Sequence, residues 1–310
     1  ELKNYFSLFF LSLLPVAFVV GPLILEIFVN ILILMFLYDC VKHKNFDFIK
    51  NKIFIFFLFF YLLLIITLLI SDLFLDSALN VFSYIRFIFF PFAICEILQK
   101  NKKNLKFVYL ILSFTIFVVV LDGYYQFIFE KNFFGYEKYR IDRISGFFKD
   151  DLILGSFISR LLPLFIALII FFKDNLKLTN LNLFLFLSAF LLIFLTGERA
   201  SFIIASLALL IIIILIRSFF YLRLIFPFTL ITLITILMTF NPIIFDRYYN
   251  QLKNHIIKGS NVNMILPNYM PMFKTSLKMF DDNKLFGQGP KSYRYYCSDE
   301  KFVTYFPDLI

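Results

Sequence analysis

The chain has 310 residues, of which 61% are hydrophobic and only 16% are charged, and its mean hydropathy is +0.86. A soluble domain of this composition would expose most of its apolar surface, so the sequence predicts a membrane protein. The formal charge of +9 does not indicate a nucleic-acid partner, because the cations alternate with apolar segments. The three cysteines lack the spacing of metal ligands, and we predict neither a metal nor a cofactor.

Apolar windows that could cross a membrane recur along the first 240 residues. Because a spanning helix needs about 20 apolar residues, we predict an all-α polytopic membrane protein with about nine transmembrane helices. The predicted spans are residues 5–20, 23–38, 53–70, 79–98, 107–128, 152–172, 181–195, 202–216 and 224–240. The expected organisation is a helical bundle over residues 1–240 and a large periplasmic segment, residues 241–310, after the ninth span.

Lysines and arginines occupy every second short connection. They follow the second, fourth, sixth and eighth predicted spans, whereas the Gly21-Pro22 turn and the turn from Ser71 to Ala78 contain none. The positive-inside rule therefore predicts a cytoplasmic amino terminus. Two long segments, residues 129–151 and 241–310, then lie on the outer side, where we expect the chemistry.

Few charged residues lie within or at the ends of the predicted spans. Such a residue costs at least about 2.5–3.5 kcal/mol at the centre of a spanning helix, so each one is a candidate functional residue. The main ones, with one polar neighbour, are Arg86, Asp122 with Gln126, Arg160, and Glu198 with Arg199. With a rise of about 1.5 Å per residue, all fall in the outer half of the membrane or at its outer edge. We expect them to line one outward-opening cavity; alternatively, Arg86 or Arg160 pairs with Asp122 and joins two helices.

The arginines of this set outnumber its carboxylates. The loop before the sixth span adds four cations near the same rim, Lys138, Arg140, Arg143 and Lys149, which neighbouring acidic residues partly offset. Guanidinium groups match phosphate oxygens in bidentate geometry. We therefore predict that the cavity binds an anion.

Three stretches from residue 107 onward carry the most distinctive polar motifs. The first contains Asp122-Gly-Tyr-Tyr-Gln126, then Arg143-Ile-Ser-Gly-Phe-Phe and Arg160-Leu-Leu-Pro-Leu. The second is Leu195-Thr-Gly-Glu-Arg199-Ala-Ser, and the third runs from Lys278 through Gly287-Gln-Gly289-Pro to Arg294 and Cys297. In this order and on this topology, they resemble the O-antigen ligase and O-antigen polymerase family of bacterial inner membranes.

The resemblance implies a metal-independent glycosyltransferase that works at the periplasmic face of the inner membrane. Its donor would be a lipid-linked oligosaccharide on undecaprenyl diphosphate, its acceptor a lipid A-core or another glycan, and its surroundings membrane lipids. The diphosphate leaving group needs fixed cations. Arg199 matches the family's diphosphate-binding arginine, and Arg160 is a second catalytic candidate. The candidate substrate-binding residues are Arg143, Asp122, Arg86, Lys278 and Arg294.

The family also uses a histidine in its large periplasmic loop, after the Gly-x-Gly-Pro segment. His255 is a catalytic candidate, but it precedes Gly287 instead of following it. We therefore expect the principal catalytic histidine beyond residue 310. Since the sequence starts at Glu1 and stops at Ile310 in polar sequence, we also expect it to be a fragment.

Three other functions fit parts of the pattern. A polymerase of the same family has the same architecture. A transporter or flippase of polysaccharide or lipid-linked sugars also needs many spans and buried arginines, but it predicts paired broken helices or charges near the midplane and on both sides. A lipid-binding scaffold protein predicts that Arg199→Ala alters packing but not glycan output.

Overall fold

The computed structural model describes residues 2–100, 102–172, 176–215, 220–250, 253 and 270–302. These residues are mostly helical, and their β-structure consists of two isolated bridges, Lys131 with Glu137 and Arg140 with Arg143. In a bilayer, a helix satisfies all of its backbone hydrogen bonds within one segment, which is why long apolar windows become helices. The predicted all-α polytopic membrane fold is confirmed.

Short connections join most neighbouring helices, whereas residues 130–153 form a longer loop. The first five are α1 (Leu2–Val20), α2 (Pro22–His43), α3 (Lys52–Ile70), α4 (Phe74–Ser83) and α5 (Arg86–Lys100). The next five are α6 (Lys102–Phe129), α7 (Leu154–Phe171), α8 (Leu176–Leu195), α9 (Arg199–Leu215) and α10 (Phe220–Phe240). They are followed by α11 (Pro242–Phe245), a π-helix (Asp246–Asn250), α12 (Met270–Asp282) and α13 (Ser292–Tyr296). Short 3-10 helices occupy Asp47–Lys50 and Gly146–Phe148.

The predicted number of membrane spans is not confirmed by the described residues. Six helical segments among the described residues are long and apolar enough to cross a membrane, and a bent pair raises the number to at most seven. The six are Pro22–His43, Lys52–Ile70, Phe74–Gln99, Asn104–Phe129, Leu154–Phe171 and Lys177–Leu195. Each predicted window overlaps a helix, but the predicted count of nine is not confirmed.

Three of the predicted windows are not among the six. Tyr5–Val20 and Arg199–Ile211 are apolar, but at about 1.5 Å per residue these stretches are about 24 and 20 Å long, less than the roughly 30 Å of a bilayer core. Pro227–Phe240 is bent by 106° against Pro242–Asn250. The bend has a local cause, because Asn241 accepts hydrogen bonds from the backbone N–H groups of Ile243 and Ile244 and so starts a new helix.

The chain forms two compact units, of which the first comprises Glu1–Leu25 and Asn101–Lys253. In this unit, α7 packs against α8 and α9, and α1 packs against α6. The core contains fully buried Tyr109, Phe165 and Leu192. A buried hydrogen bond from Asn182 to the hydroxyl oxygen of Tyr109, 2.6 Å long, ties α8 to α6 inside this core.

The second unit comprises Glu26–Lys100 and Asn254–Ile310. Its aromatic cluster surrounds Phe48, which lies in contact with the rings of Phe36, Phe54, Phe89 and Phe92. At another point in the unit, the Gly-x-Gly-Pro segment packs on the turn between α3 and α4. The hydroxyl of Ser71 donates to the carbonyl of Gln288 at 3.2 Å, and that of Ser77 donates to the carbonyl of Pro290 at 2.8 Å. These bonds link two segments that the topology predicts on the outer side of the membrane.

Candidate functional site: an arginine cluster at the start of helix α9

The turn between α8 and α9 places Arg199 at the first residue of α9. The hydroxyl of Thr196 donates to the carbonyl of Ile193 at 2.7 Å and fixes the end of α8. Gly197 has a φ of +69°, in the left-handed region, and a Cβ at this position would lie 2.5 Å from Nε of Arg247. Glycine is therefore needed for both the backbone conformation and the close approach of the Arg247 guanidinium.

Glu198 anchors this turn to the start of α7. Its side chain is buried, and its two oxygens accept hydrogen bonds from the backbone N–H groups of Gly155, at 2.8 Å, and Ser156, at 2.9 Å. It also accepts a hydrogen bond from the hydroxyl of Ser201 at 2.8 Å. The first N–H groups of a helix have no partner within the helix, and a carboxylate there is favoured by the helix dipole. Glu198 thus joins the first turns of two helices.

Two hydrogen bonds connect Arg247 to the turn that carries Arg199. Nη2 of Arg199 donates to the backbone carbonyl of Arg247, and Nε of Arg247 donates to the carbonyl of Gly197 at 2.8 Å. Beside them, the ring of Tyr248 stacks on that of Phe194 with centroids 4.4 Å apart, and its hydroxyl donates to the Phe194 carbonyl at 2.9 Å. The π-helix that follows the bend is therefore fastened to the turn that carries Arg199.

The loop between α6 and α7 adds a carboxylate and a third arginine. Asp142 forms ion pairs with Arg247 and, at 3.1 Å, with Arg140. Burial raises the pKa of Asp142, but the charges of Arg247 and Arg140 outweigh it, and the pKa lies below its usual value. Burial lowers the pKa of Arg143, as does the charge of Arg247, while Glu198 opposes them. Nε of Arg143 is buried and has no hydrogen-bond partner among the described residues.

We define the arginine cluster as Arg143, Arg199 and Arg247. The carboxylates in its electrostatic surroundings, among the residues that the structure describes, are Asp142 and Glu198. Glu198 is committed to backbone N–H groups and Asp142 also faces Arg140, so within the described part of the chain the three guanidinium groups have a surplus of positive charge over these two carboxylates. Such a surplus on partly buried guanidinium groups favours an anionic ligand.

Asp122, Gln126 and Asn132 form a buried polar framework beneath the loop. Oδ1 of Asp122 accepts from the backbone N–H of Phe133 at 2.9 Å. Oε1 of Gln126 accepts from two successive N–H groups, those of Ser145 and Gly146, at 3.0 and 2.8 Å. Asn132 donates to the carbonyl of Gly146 at 3.1 Å. These contacts hold the loop that carries Arg143, and a direct role of Asp122 in substrate binding stays a prediction.

Four other predicted site residues lie on helices α5, α7, α12 and α13. Arg160 is exposed on α7, and none of the ion pairs within the described part of the chain includes it. Arg86, in the second unit, pairs with Glu26 and lies over the ring of Phe87, 5.0 Å from its centroid. Lys278 and Arg294 lie on α12 and α13 of the same unit. His255 lies outside the described residues.

Arg247 is the site residue that the sequence pattern does not reveal. Its ion pair with Asp142 joins positions 105 residues apart, and nothing in the local sequence distinguishes it from an ordinary loop cation. The described residues contain no group of three or more His, Cys, Asp or Glu residues that could hold a metal ion.

The second half of the chain is similar to a known protein family. Residues 183–305 match the family model described as O-antigen ligase. This stretch begins within α8 and includes the turn at residues 196–199, Arg247, α12 and α13, whereas Arg143 precedes it. Neither the curated proteins nor the solved structures contain a match to the chain.

Proposed function

We propose that the chain, whose residues 183–305 match the O-antigen ligase family model, transfers a glycan from undecaprenyl diphosphate to an acceptor sugar at the periplasmic face of the bacterial inner membrane. The observation that carries the proposal is the arginine cluster at the turn before α9, two of whose members lie within the matched stretch. The acceptor is a sugar of lipid A-core in the ligase reaction. The face and the amino-terminal orientation follow from the loop charges.

The proposed reaction exchanges one glycosidic bond for another. An oxygen of the acceptor hydroxyl bonds to the anomeric carbon of the donor sugar while the bond from that carbon to the diphosphate breaks. The diphosphate leaves with the electron pair, and the hydroxyl proton passes to a base. Negative charge therefore grows on phosphate oxygens during the step, and guanidinium groups fixed in advance stabilise it most in the transition state.

The contacts of the cluster suggest different roles for its members. Arg247 already donates to Gly197 and pairs with Asp142, so we assign it the role of a positioning residue. Arg143 has a buried Nε without a protein partner among the described residues, and we assign it to the diphosphate together with Arg199. Arg160 remains the second catalytic candidate.

Substrate contacts by Asp122, Arg86, Lys278 and Arg294 stay predictions from the sequence, and so does catalysis by His255. We place the principal catalytic base outside the arginine cluster, because the cluster supplies charge but no proton acceptor suited to the acceptor hydroxyl.

Two other functions compete with this proposal. A polymerase uses the same chemistry with a second glycan as acceptor, and the family description favours the ligase. A transporter of lipid-linked sugars is favoured by the bent pair Pro227–Phe240 and Pro242–Asn250. Alternating access by inverted repeats needs broken helices in both halves of the protein, and one such pair occurs in the described part of the chain.

The test is complementation of a bacterial host that lacks its own O-antigen ligase. The complete gene is expressed as wild type, Arg199→Ala, Arg199→Lys and Lys131→Ala, and capped lipopolysaccharide is compared on a gel at matched levels of inserted protein. Lys131 is a matched control, because it is an exposed loop cation paired with exposed Glu137. Capping by wild type and Lys131→Ala but not by Arg199→Ala supports the proposal.

The remaining outcomes each exclude something definite. Equal capping by wild type and Arg199→Ala removes Arg199 from the mechanism. Absence of capping by wild type, with longer glycan chains on the lipid carrier, identifies a polymerase. Absence of both, with altered distribution of the lipid-linked glycan across the membrane, identifies a transporter.

A further inference from the structure

A groove of about 730 Å³ lies beside the arginine cluster, within the first unit. One wall is the loop before α7, and the other is the segment that follows the bend after α10. Its lining includes Lys138, Tyr139, Arg140, Asp142, Pro242 and Asp246. The volume is that of an ordinary small-molecule cleft, for which about 300–1,000 Å³ is typical.

The chemistry of the lining is mixed in a way that restricts the ligand. The Tyr139 side chain is 63% exposed and presents an aromatic face, while Asp142 and Asp246 supply hydrogen-bond acceptors and Arg140 supplies donors. The two carboxylates balance the two cations, Lys138 and Arg140, so the lining has no excess positive charge to attract a polyanion, and its charged groups disfavour a polyprenyl chain. A sugar ring matches both the aromatic face and the mixed donors and acceptors. Its C–H face packs on an aromatic ring, and its hydroxyls donate as well as accept hydrogen bonds.

Asp142 connects the groove to the arginine cluster. It lines the groove and forms the ion pair with Arg247. A smaller cavity of about 180 Å³ shares Lys138 and Asp142 with the groove and is also lined by Arg143. A ring in the groove would therefore lie next to a group held by the arginines.

The groove is built on a loop that is already fixed. Lys138 donates to the carbonyl of Phe127 at 3.2 Å, at the end of α6, and burial lowers the pKa of this lysine. The bridge between Lys131 and Glu137 and the Gln126 contacts described above hold the rest of the loop. A site formed in advance loses less free energy on ordering when its ligand binds.

We propose that this groove is a sugar-binding subsite, which holds a pyranose unit of one glycan substrate next to the lipid diphosphate. Tyr139 provides the stacking surface, and Asp142 and Asp246 accept hydrogen bonds from the sugar hydroxyls. The proposal rests on the proposed function, because that function supplies the glycan. It adds a specificity-determining residue, Tyr139, to a transfer site otherwise described by its cations.

The test is binding of phosphate-free sugars to the purified full chain in detergent. The probes are the O-antigen repeat oligosaccharide and the core oligosaccharide, each released from lipid and phosphate and labelled for equilibrium dialysis. We expect Tyr139→Ala to weaken binding of one of them by about tenfold, and Tyr139→Phe and Lys131→Ala to bind like wild type. The probe that is affected shows whether the groove serves the donor or the acceptor.

The controls separate a lost subsite from a damaged protein and from a wrong function. Because Tyr139 is exposed, Tyr139→Ala should melt at the wild-type temperature in detergent. Unchanged binding of both probes by Tyr139→Ala, or no binding of either by wild type, overturns the subsite. Sugar binding by a wild type that neither caps lipopolysaccharide nor extends glycans rejects the proposed function and leaves the subsite standing.

Discussion

The guanidinium of Arg199 donates to the backbone carbonyl of Arg247, and the guanidinium of Arg247 donates to the carbonyl of Gly197, two residues before Arg199. The two arginines thus fix each other's position although only one of them needs to contact a substrate. The Arg247 side chain is only 14% exposed, and it is held by its hydrogen bond to Gly197 and its ion pair with Asp142. The position of the Arg199 guanidinium therefore depends on the π-helix Asp246–Asn250, which carries Arg247.

This relationship predicts a large effect of Arg247 on catalysis. Arg247→Ala should reduce the rate of lipopolysaccharide capping by about 100-fold, because displacement of a positioned group by roughly 1 Å has effects of this size. Arg247→Lys should recover little, since an ammonium group cannot serve the carbonyl and the carboxylate in the same fork geometry. The rate is measured with purified protein and lipid-linked donor.

Lys131→Ala is the matched control for that experiment. Lys131 is a cation of the loop before α7, its side chain is 58% exposed, and it pairs with exposed Glu137. Exposed ion pairs contribute about 0–1 kcal/mol, so the rate should change by less than about fivefold. Equal losses in the two variants would show that the loss of any cation lowers the rate and that the contact between Arg247 and Gly197 has no special role.

Glu198 should matter for stability more than for substrate affinity. Its buried carboxylate accepts hydrogen bonds from Gly155, Ser156 and Ser201, and removing a buried acceptor leaves donors unsatisfied at about 1–3 kcal/mol. Glu198→Ala should therefore lower the free energy of unfolding by about that amount or more, measured by denaturation in detergent. Glu137→Gln, in an exposed pair with Lys131, is the control and should be near neutral. A neutral Glu198→Ala would contradict the anchoring role.

Gln126 should determine whether the loop before α7 is ordered. Gln126→Ala removes the acceptor of the Ser145 and Gly146 N–H groups and leaves both buried. Hydrogen exchange of residues 143–148 should then be faster by about one to two orders of magnitude, from a loss of about 1–3 kcal/mol in local stability. Gln288→Ala is a control at another glutamine, whose donor bond to Asp282 is exposed, and it should leave this loop unchanged. Unaltered exchange in Gln126→Ala would mean that other contacts hold the loop.

The sequence predicts which segments are helical, but it does not predict which of these helices cross the membrane as one straight span. An apolar window must become a helix in a bilayer, so each predicted window overlaps a helix. Its length does not reveal a bend, and the bend at Asn241 depends on a side-chain cap and a following proline. The Asn-Pro dipeptide is a visible turn signal, but it stands at the end of a window, where an ordinary loop is expected.

The candidate site is predictable only in part. Arg199 and Arg143 stand out because the sequence predicts them near the outer ends of apolar segments, where cations are unusual. Arg247 and Asp142 meet through a pairing over 105 positions, which no periodic pattern encodes. For the same reason the sequence does not predict the partner of Arg86, which is Glu26 of α2 and not Asp122. Charges in or beside apolar segments are visible in the sequence, but their partners are set by packing.

Asp142 should make the stability of the folded protein depend on pH, and this dependence should appear only at low pH. Its pKa is lower in the folded protein than the ordinary value of about 4, so its ion pairs stabilise the fold fully above that value and are lost as pH falls through the folded pKa. The stability difference between wild type and Asp142→Asn should be constant from about pH 5.5 to 8 and shrink below about pH 4. A difference that changes near pH 7 would assign the ionisation to another group.

Gly197→Ala should disturb the site through contact with Arg247 as well as through its own backbone. Its φ is +69°, and a Cβ would lie 2.5 Å from Nε and 2.8 Å from Cδ of Arg247. Gly135→Ala is the matched control, because Gly135 has a φ of +83° with nothing within 4 Å of the added Cβ. Both variants bear a backbone cost of about 1–2 kcal/mol, measured as loss of stability, but only Gly197→Ala should also lose capping activity. Equal activity in the two would mean that Arg247 can move away without consequence, and that its contact with Gly197 does not position Arg199.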